Sequence, residues 1–231
     1  MKLPRADCLM CVYFKTLDRT SEMFFKKAVD SVLSQTFSDF NFVIIDDGSD
    51  KKVIEFLASI KDERIQVHSK GNTGLTDSLN YGLQFCEEEY IVRQDADDLS
   101  EKTRFEKQIR LLEKFPKCGA AGCWYYYIDM NDVAYGSVCL NPMLIDTPRV
   151  AGTLAGGGCT LRRKAVLEAG GWKLKFAQDA YLWMRMRALG WELRNVPELL
   201  YSYRVHDNQI SVKHRKKQRE IAHSMAEIAT L

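Results

Sequence analysis

Phe40-Asn41-Phe42-Val43-Ile44-Ile45-Asp46-Asp47-Gly48-Ser49-Asp50 joins a nearly continuous apolar run to an abrupt acidic turn. An unbroken run of this kind fits a strand buried on both faces, as in a parallel sheet. A helical pattern follows it, with Val53, Leu57 and Ile60 at the spacing of one buried face. The same phrase recurs on either side. Cys8 to Tyr13 is an apolar run followed by Phe25, Val29 and Val32 at i, i+4 and i+7. Arg64 to Val67 leads through Gly71-Asn72-Thr73-Gly74 into Leu75, Leu79 and Leu83, and Tyr90 to Arg93 ends at Gln94-Asp95-Ala96-Asp97-Asp98. Strand and helix in this alternation predict an α/β fold, with a mostly parallel sheet flanked by helices. Ligands in such sheets bind beyond the carboxyl ends of the strands. Both acidic clusters, at 46–47 and 95–98, fall there.

The second half is less regular. Phe105, Ile109 and Leu112 carry a helix up to Pro116, and Cys118 to Ile128 is strand-like. A turn-rich segment runs from Asp129 to Pro148, and Gly156-Gly157-Gly158 opens another strand, Cys159 to Arg162. Gly170-Gly171-Trp172 marks a turn, and a helix from about Asp179 to Leu189 carries Leu182, Met186 and Leu189 on one side. With no internal repeat and no low-complexity linker, the halves read as lobes of one unit.

Bulk composition narrows the function classes. The 231 residues are 46% hydrophobic and 28% charged, which suits a packed core and argues against disorder. Lys and Arg number 33 against 31 Asp and Glu, a net charge of +2, so general nucleic-acid binding is not expected. No apolar run reaches the roughly 20 residues of a membrane span. Met1 to Asp7 lacks the apolar stretch of a signal peptide, and a cytoplasmic location is expected. Cys8 and Cys11 form a C-x-x-C, but inside an apolar strand and without a second pair, so the seven cysteines read as buried structural thiols.

Several side chains have chemistry to offer. Asp95 and Asp97, one residue apart at a strand end, can hold a divalent ion that neutralises a diphosphate leaving group. A D-x-D also occurs freely by chance as a solvated turn. Asp46 and Asp47 can accept hydrogen bonds from a base or a ribose, or can simply start a helix. Asp179 stands in the first turn of a helix, whose dipole favours the ionised form that a general base requires. Capping that helix is the alternative. Trp124-Tyr125-Tyr126-Tyr127 fits either sugar stacking or strand packing. Lys213-His214-Arg215-Lys216-Lys217-Gln218-Arg219 fits either phosphate or membrane-surface contact, or a solvated face. His206 is either a metal ligand or a hydrogen-bonded structural residue.

Together, and in this order, these stretches resemble the inverting family-2 glycosyltransferases of GT-A fold, from about Leu9 to Ser211. The resemblance is carried by Ala28 to Phe37, Val43 to Ser49, Gly71 to Leu75, Asp95 to Asp98, Arg104 to Gln108, Gly170 to Trp172, and Tyr203 to Asn208. It implies a GT-A (Rossmann-like) fold with a nucleotide-sugar-binding lobe at 1–115. An acceptor-binding lobe carrying the base would cover 116–212, and a basic C-terminal helix or tail 213–231. By the same resemblance Tyr13, Asp46 and Asp47 would lie against the nucleoside, with Asn72 and Gly74 nearby. Asp95 would face ribose and metal, and Asp97 would bind the metal, Mn2+ or Mg2+. Asp179 matches the base that deprotonates the acceptor hydroxyl. Arg204 and His206 match a late motif near the diphosphate or acceptor, with His206 as a further candidate metal ligand.

The expected donor is a nucleotide sugar, with UDP favoured, and the acceptor stays open. The basic C-terminus offers a peripheral contact with the inner membrane face. Departures from the family pattern include Cys11-Val12-Tyr13-Phe14-Lys15 at the first strand end and Gln178 before the base. The Gln-x-x-Arg-Trp motif of processive synthases is absent, which favours single additions. Rival readings are a sugar nucleotidyltransferase and an inactive nucleotide-sugar-binding module. A haloacid-dehalogenase-like phosphatase fails on spacing, because Ile45 stands where its nucleophile would be.

Overall fold

The computed structural model describes residues 5–141, 154–207 and 209–228. Met1 to Pro4, the end of the turn-rich segment from Pro142 onward, and Asn208 lie outside the described residues, as does the side chain of Arg219.

The first half alternates as its sequence requires. Strands β1 (Ala6–Val12), β2 (Phe40–Asp46), β3 (Ile65–Ser69) and β4 (Tyr90–Asp95) are separated by α1 (Arg19–Leu33), α2 (Lys51–Ser59) and α3 (Leu75–Leu83). All four strands pair in parallel, in the order β3-β2-β1-β4. The runs of β1, β2 and β4 are nearly continuous in burial because alternate residues enter two different layers, while β3, at the sheet edge, is largely exposed. Cys8, Met10, Phe42, Ile44 and Val92 pack with α1 and α2 on one side; Leu9, Val43, Ile45 and Ile91 pack with α3 on the other. Each fully buried side chain of this size contributes about 1.5–3 kcal/mol. Cys8 and Cys11 therefore face opposite layers, and burial pushes both thiols up to about 12. All seven cysteines are free, and only Cys139 is exposed.

The second half completes the sheet. A short β5 (Leu99–Ser100) precedes α4 (Arg104–Lys114), which joins the layer of α1 and α2. Strands β6 (Cys118–Ile128), β7 (Ala134–Val138), β8 (Thr160–Arg162) and β9 (Glu192–Arg204) follow, with α5 (Arg163–Glu168) and α6 (Gln178–Ala188) in the layer of α3. The strand order runs on from β4 through β8, β6 and β9 to β5, with β7 pairing β6. β8 is antiparallel to both β4 and β6, while β6 and β9 are parallel. Beyond β4 the sheet is thus mixed.

Two elements differ from the sequence expectation. Gly156–Gly158 is a 3-10 turn, and the strand proper begins at Thr160. β9, thirteen residues long, goes unread in the sequence because Pro197 interrupts its pattern. Proline cannot donate to a ladder, and the β6–β9 register shifts there, with Cys123 opposite Val196 and Trp124 opposite Leu199. The last helices, α7 (Ile210–Lys213) and α8 (Arg215–Ile228), follow β9. Among the described residues no helix is long and apolar enough to cross a membrane.

Candidate active site

At the carboxyl end of β2, Asp46 and Asp47 are each only 3% exposed. Asp46 accepts the Ser49 N–H at 2.9 Å. Asp47 accepts the N–H groups of Thr73 (3.0 Å) and Gly74 (2.8 Å) and pairs with the Lys70 ammonium. It thereby ties the end of β2 to the loop entering α3, where Gly74 has a φ of +96° that favours glycine. Asn72 lies in that same loop and is exposed, and Tyr13, just past β1, is 47% exposed.

β4 delivers a different pair. Arg93 and Asp95 are two residues apart and so share one face of the sheet, the face that α6 covers. The Arg93 Nη2 group donates to Asp95 Oδ1 at 2.9 Å. Asp95 and Asp97 keep 34% and 26% of their side chains exposed. Burial raises the Asp95 carboxyl, opposed by Arg93 and reinforced by Asp97 and Asp179. Asp98 is fully buried; it accepts the Tyr201 hydroxyl and the Arg204 N–H, both at 2.7 Å, and burial with Asp97 and Asp95 nearby holds it well above the usual carboxylate range. Such crowding of carboxylates is relieved by a cation.

His206 Nε2 lies 2.9 Å from Asp97 Oδ2, so two of the three candidate metal ligands touch. The third, Asp95, is two residues away and held by Arg93. Among the described residues no group of three His, Cys, Asp or Glu is arranged to hold an ion unaided. A magnesium-like ion needs only one or two protein carboxylates when phosphates complete its shell. The oxygen donors of Asp95 and Asp97 suit that use.

Arg204 is fully buried. Its guanidinium donates to the Asp97 carbonyl (2.8 Å) and the Asp129 carbonyl (2.9 Å), pairs with Asp132 (2.6 Å) and lies 4.1 Å from the Phe24 ring. As placed, it braces the acidic turn from below.

Asp179 comes from the other half of the chain, at the second position of α6. The helix N-cap is Ala177, in the left-handed region, with no side-chain cap hydrogen bond. Capping is therefore not what Asp179 does. Its Oδ1 accepts the Trp172 indole N–H at 3.0 Å and lies 3.7 Å from Arg93 Nη1. Trp172 is itself clamped by Asn80, which donates to its carbonyl (2.7 Å) and accepts its N–H (2.9 Å). A methyl group added at Gly156 would overlap Asp179, and one at Gly157 would overlap Asp95. The Gly156–Gly158 turn thus lies directly against both carboxylates.

The remaining candidates lie elsewhere. Tyr125, Tyr127 and Tyr203 pack on one another across β6 and β9, with Tyr127 stacked on Tyr135, and Trp124 donates to the Leu140 carbonyl. In the basic segment, His214 and Lys217 lie against the ring of Phe176, just before α6.

A model of the family described as "Glycosyl transferase family 2" matches residues 9–171, which hold the whole of the β4 acidic edge. The chain belongs to glycosyl transferase family 2. This glycosyltransferase is 28% identical over 239 residues to an uncharacterized glycosyltransferase of Haemophilus influenzae, covering 95% of this chain and 71% of that one. It is 24% identical over 235 residues to a UDP-Gal:alpha-D-GlcNAc-diphosphoundecaprenol beta-1,3-galactosyltransferase of Escherichia coli, covering 97% and 81%. Among solved structures, its fold matches a mannosyltransferase of Pyrobaculum calidifontis in complex with GDP-Man and Mn2+, at TM-score 0.70 and 14% identity, over 97% of this chain and 63% of that one. TarS of S. aureus in complex with UDP-GlcNAc matches at TM-score 0.70 and 13% identity, over 88% and 59%. The chain thus spans about three-fifths of each of these two structures, which share its GT-A fold.

Sequence reasoning about this glycosyltransferase missed Arg93 and Tyr201, gave Asp98 no role beyond its place in the 95–98 acidic cluster, and gave Trp172 and Gly156–Gly158 no role at the site. One signal was available. Arg93 interrupts an apolar strand two residues before Asp95, and a charge at a core position requires a partner.

Proposed function

We propose that this glycosyltransferase moves a single sugar from a nucleotide diphosphate donor, a UDP-sugar, to an acceptor hydroxyl with inversion at the anomeric carbon. The observation that carries this reading is the meeting of Asp95 and Asp179, from opposite halves of the chain, on one buried guanidinium. Asp95 and Asp97, with His206, would hold Mn2+ or Mg2+, which when bound offsets the charge growing on the diphosphate. Tyr13, Asp46, Asn72 and Gly74 would flank the nucleoside. Asp47 would act by fixing the Thr73–Gly74 turn, and Arg204 by fixing the acidic turn rather than by reaching the diphosphate. Asp179 would take the acceptor proton, being a first-turn carboxylate that is 26% exposed and has no capping duty. Residues 1–115 would then serve mainly the donor and 116–212 the acceptor.

UDP is favoured because the E. coli relative is named for UDP-Gal and TarS was solved with UDP-GlcNAc, against GDP-Man in the mannosyltransferase. The basic segment 213–219 would meet an anionic membrane surface. Co-sedimentation with phosphatidylglycerol vesicles, lost at high salt, tests that contact.

The donor assignment is tested by thermal melting with UDP, GDP, dTDP and CMP, each with and without Mn2+, on the wild type and Asp97→Asn. A ligand at 100 times its Kd adds about 2.7 kcal/mol. Stabilisation by one nucleotide diphosphate only with metal, abolished in Asp97→Asn, is the expected result. A folded protein that responds to none of them would favour an inactive module.

A further inference from the structure

Arg93 has no counterpart among the roles assigned so far, yet it is the group on which the site converges. We propose that Arg93 is the positioning residue that sets the spacing between the donor-side carboxylate, Asp95, and the base, Asp179. The proposal rests on the reading of Asp179 as base given above.

Three observations carry it. First, the Arg93 side chain is only 2% exposed, so its charge must be balanced inside the protein, and the carboxylates within ion-pairing reach are Asp95 and Asp179. Nη2 serves Asp95 at 2.9 Å and Nη1 faces Asp179 Oδ1 at 3.7 Å. Among the described residues Nη1 and Nε find no hydrogen-bond partner, an unusual state for a buried guanidinium. A long contact of this kind in a free enzyme commonly tightens once substrate is bound.

Second, Trp172 reinforces the arrangement. Its ring lies 5.6 Å from the guanidinium carbon, and its N–H donates to the same Asp179 oxygen that Arg93 faces. Oδ1 is thus fixed from the protein side, while Oδ2 lies beside the Gly156 backbone.

Third, the task suits a planar fork. A guanidinium presents N–H groups to two carboxylates at once, whereas a lysine ammonium is a point charge on a flexible stem. Arg93→Lys keeps the charge and loses the span.

The test uses the full chain in four forms: Arg93→Lys, Arg93→Met, Asp179→Asn and the double variant Arg93→Lys/Asp179→Asn. Release of nucleoside diphosphate is followed with UDP-glucose, UDP-galactose, UDP-N-acetylglucosamine and GDP-mannose as donors, alongside melting with nucleotide and Mn2+. Arg93→Lys should fold, as its melt will show, and lose kcat by about 10–100-fold, the scale of an ångström-sized misplacement. The double variant should lose clearly less than the product of the two single losses, because Arg93 acts in part through that carboxylate. Arg93→Met should in addition weaken the Mn2+-dependent stabilisation by nucleotide, a readout independent of turnover. A folded Arg93→Lys at wild-type kcat, beside an impaired Asp179→Asn, overturns this proposal alone, as do losses that multiply in the double variant. Full activity in Asp179→Asn overturns the base assignment, and this proposal with it.

Discussion

The carboxyl ends of β2 and β4 carry the same sequence signal, an apolar strand stopped by paired aspartates, and use it in opposite ways. At β2, both oxygens of Asp47 are occupied by the chain's own N–H groups and by Lys70. At β4, Asp95 and Asp97 each have one side-chain partner and keep about a third and a quarter of their surface open. A carboxylate whose hydrogen bonds are complete has little left for a ligand; one with spare valence in a crowded anionic site favours a cation. Asp47 thus ties the chain to itself, whereas Asp95 and Asp97 keep part of their surface open.

Four measurements would break or sharpen that contrast. The largest effect is expected at the carboxylate that completes the β4 edge from across the chain. Asp179→Asn should lower kcat by about 10²–10⁴-fold, the usual worth of a general base, while metal-dependent nucleotide binding persists. Asp47→Ala should instead destabilise the fold by about 2–4 kcal/mol in urea unfolding, since it strands two N–H groups and a largely buried ammonium. If it melts like the wild type, Asp47 is not architectural. Asp97→Asn should reverse that pattern, with stability nearly unchanged but the gain of about 2.7 kcal/mol from nucleotide plus Mn2+ lost, as differential scanning fluorimetry would record.

The smallest effect concerns pH. Asp98, with its pKa raised in the fold, binds its proton more tightly there than in the unfolded chain. Its contribution is full below the unfolded value of about 3.9 and is lost as pH rises through the folded one. Metal-free protein should therefore lose stability as pH climbs above about 4 on this account, and Asp98→Asn should flatten the slope. A slope unchanged in Asp98→Asn would assign the pH response to other groups.

The first half of the fold was legible because the runs of β1, β2 and β4 are buried on both faces and each helix shows one buried stripe, whereas the edge strand β3 is largely exposed. β9 was not, because Pro197 and its bulge shift the side-chain alternation halfway along the strand. The site was legible as a set of aspartates at strand ends but not as a constellation. Nothing local in Trp172 or Gly156 announces Asp179; their meeting depends on α6 crossing the same sheet face as Arg93. Likewise, sequence could not separate Asp47 from Asp97, since what distinguishes them is which N–H groups the fold brings to each.

The placement of β8 between β4 and β6 bears on how the chain is made. On the ribosome, β4 emerges early but must wait for residues 160–162 before its open side is covered, and β6 waits further for β9 at 192–204. Through that interval the nascent chain presents an unpaired apolar edge, together with Arg93 lacking one of its two carboxylates. Non-local closure of this kind slows folding and invites edge-to-edge association. Synthesis rate and chaperone supply between residues 95 and 204 should therefore govern how much active enzyme a cell obtains from a given amount of message.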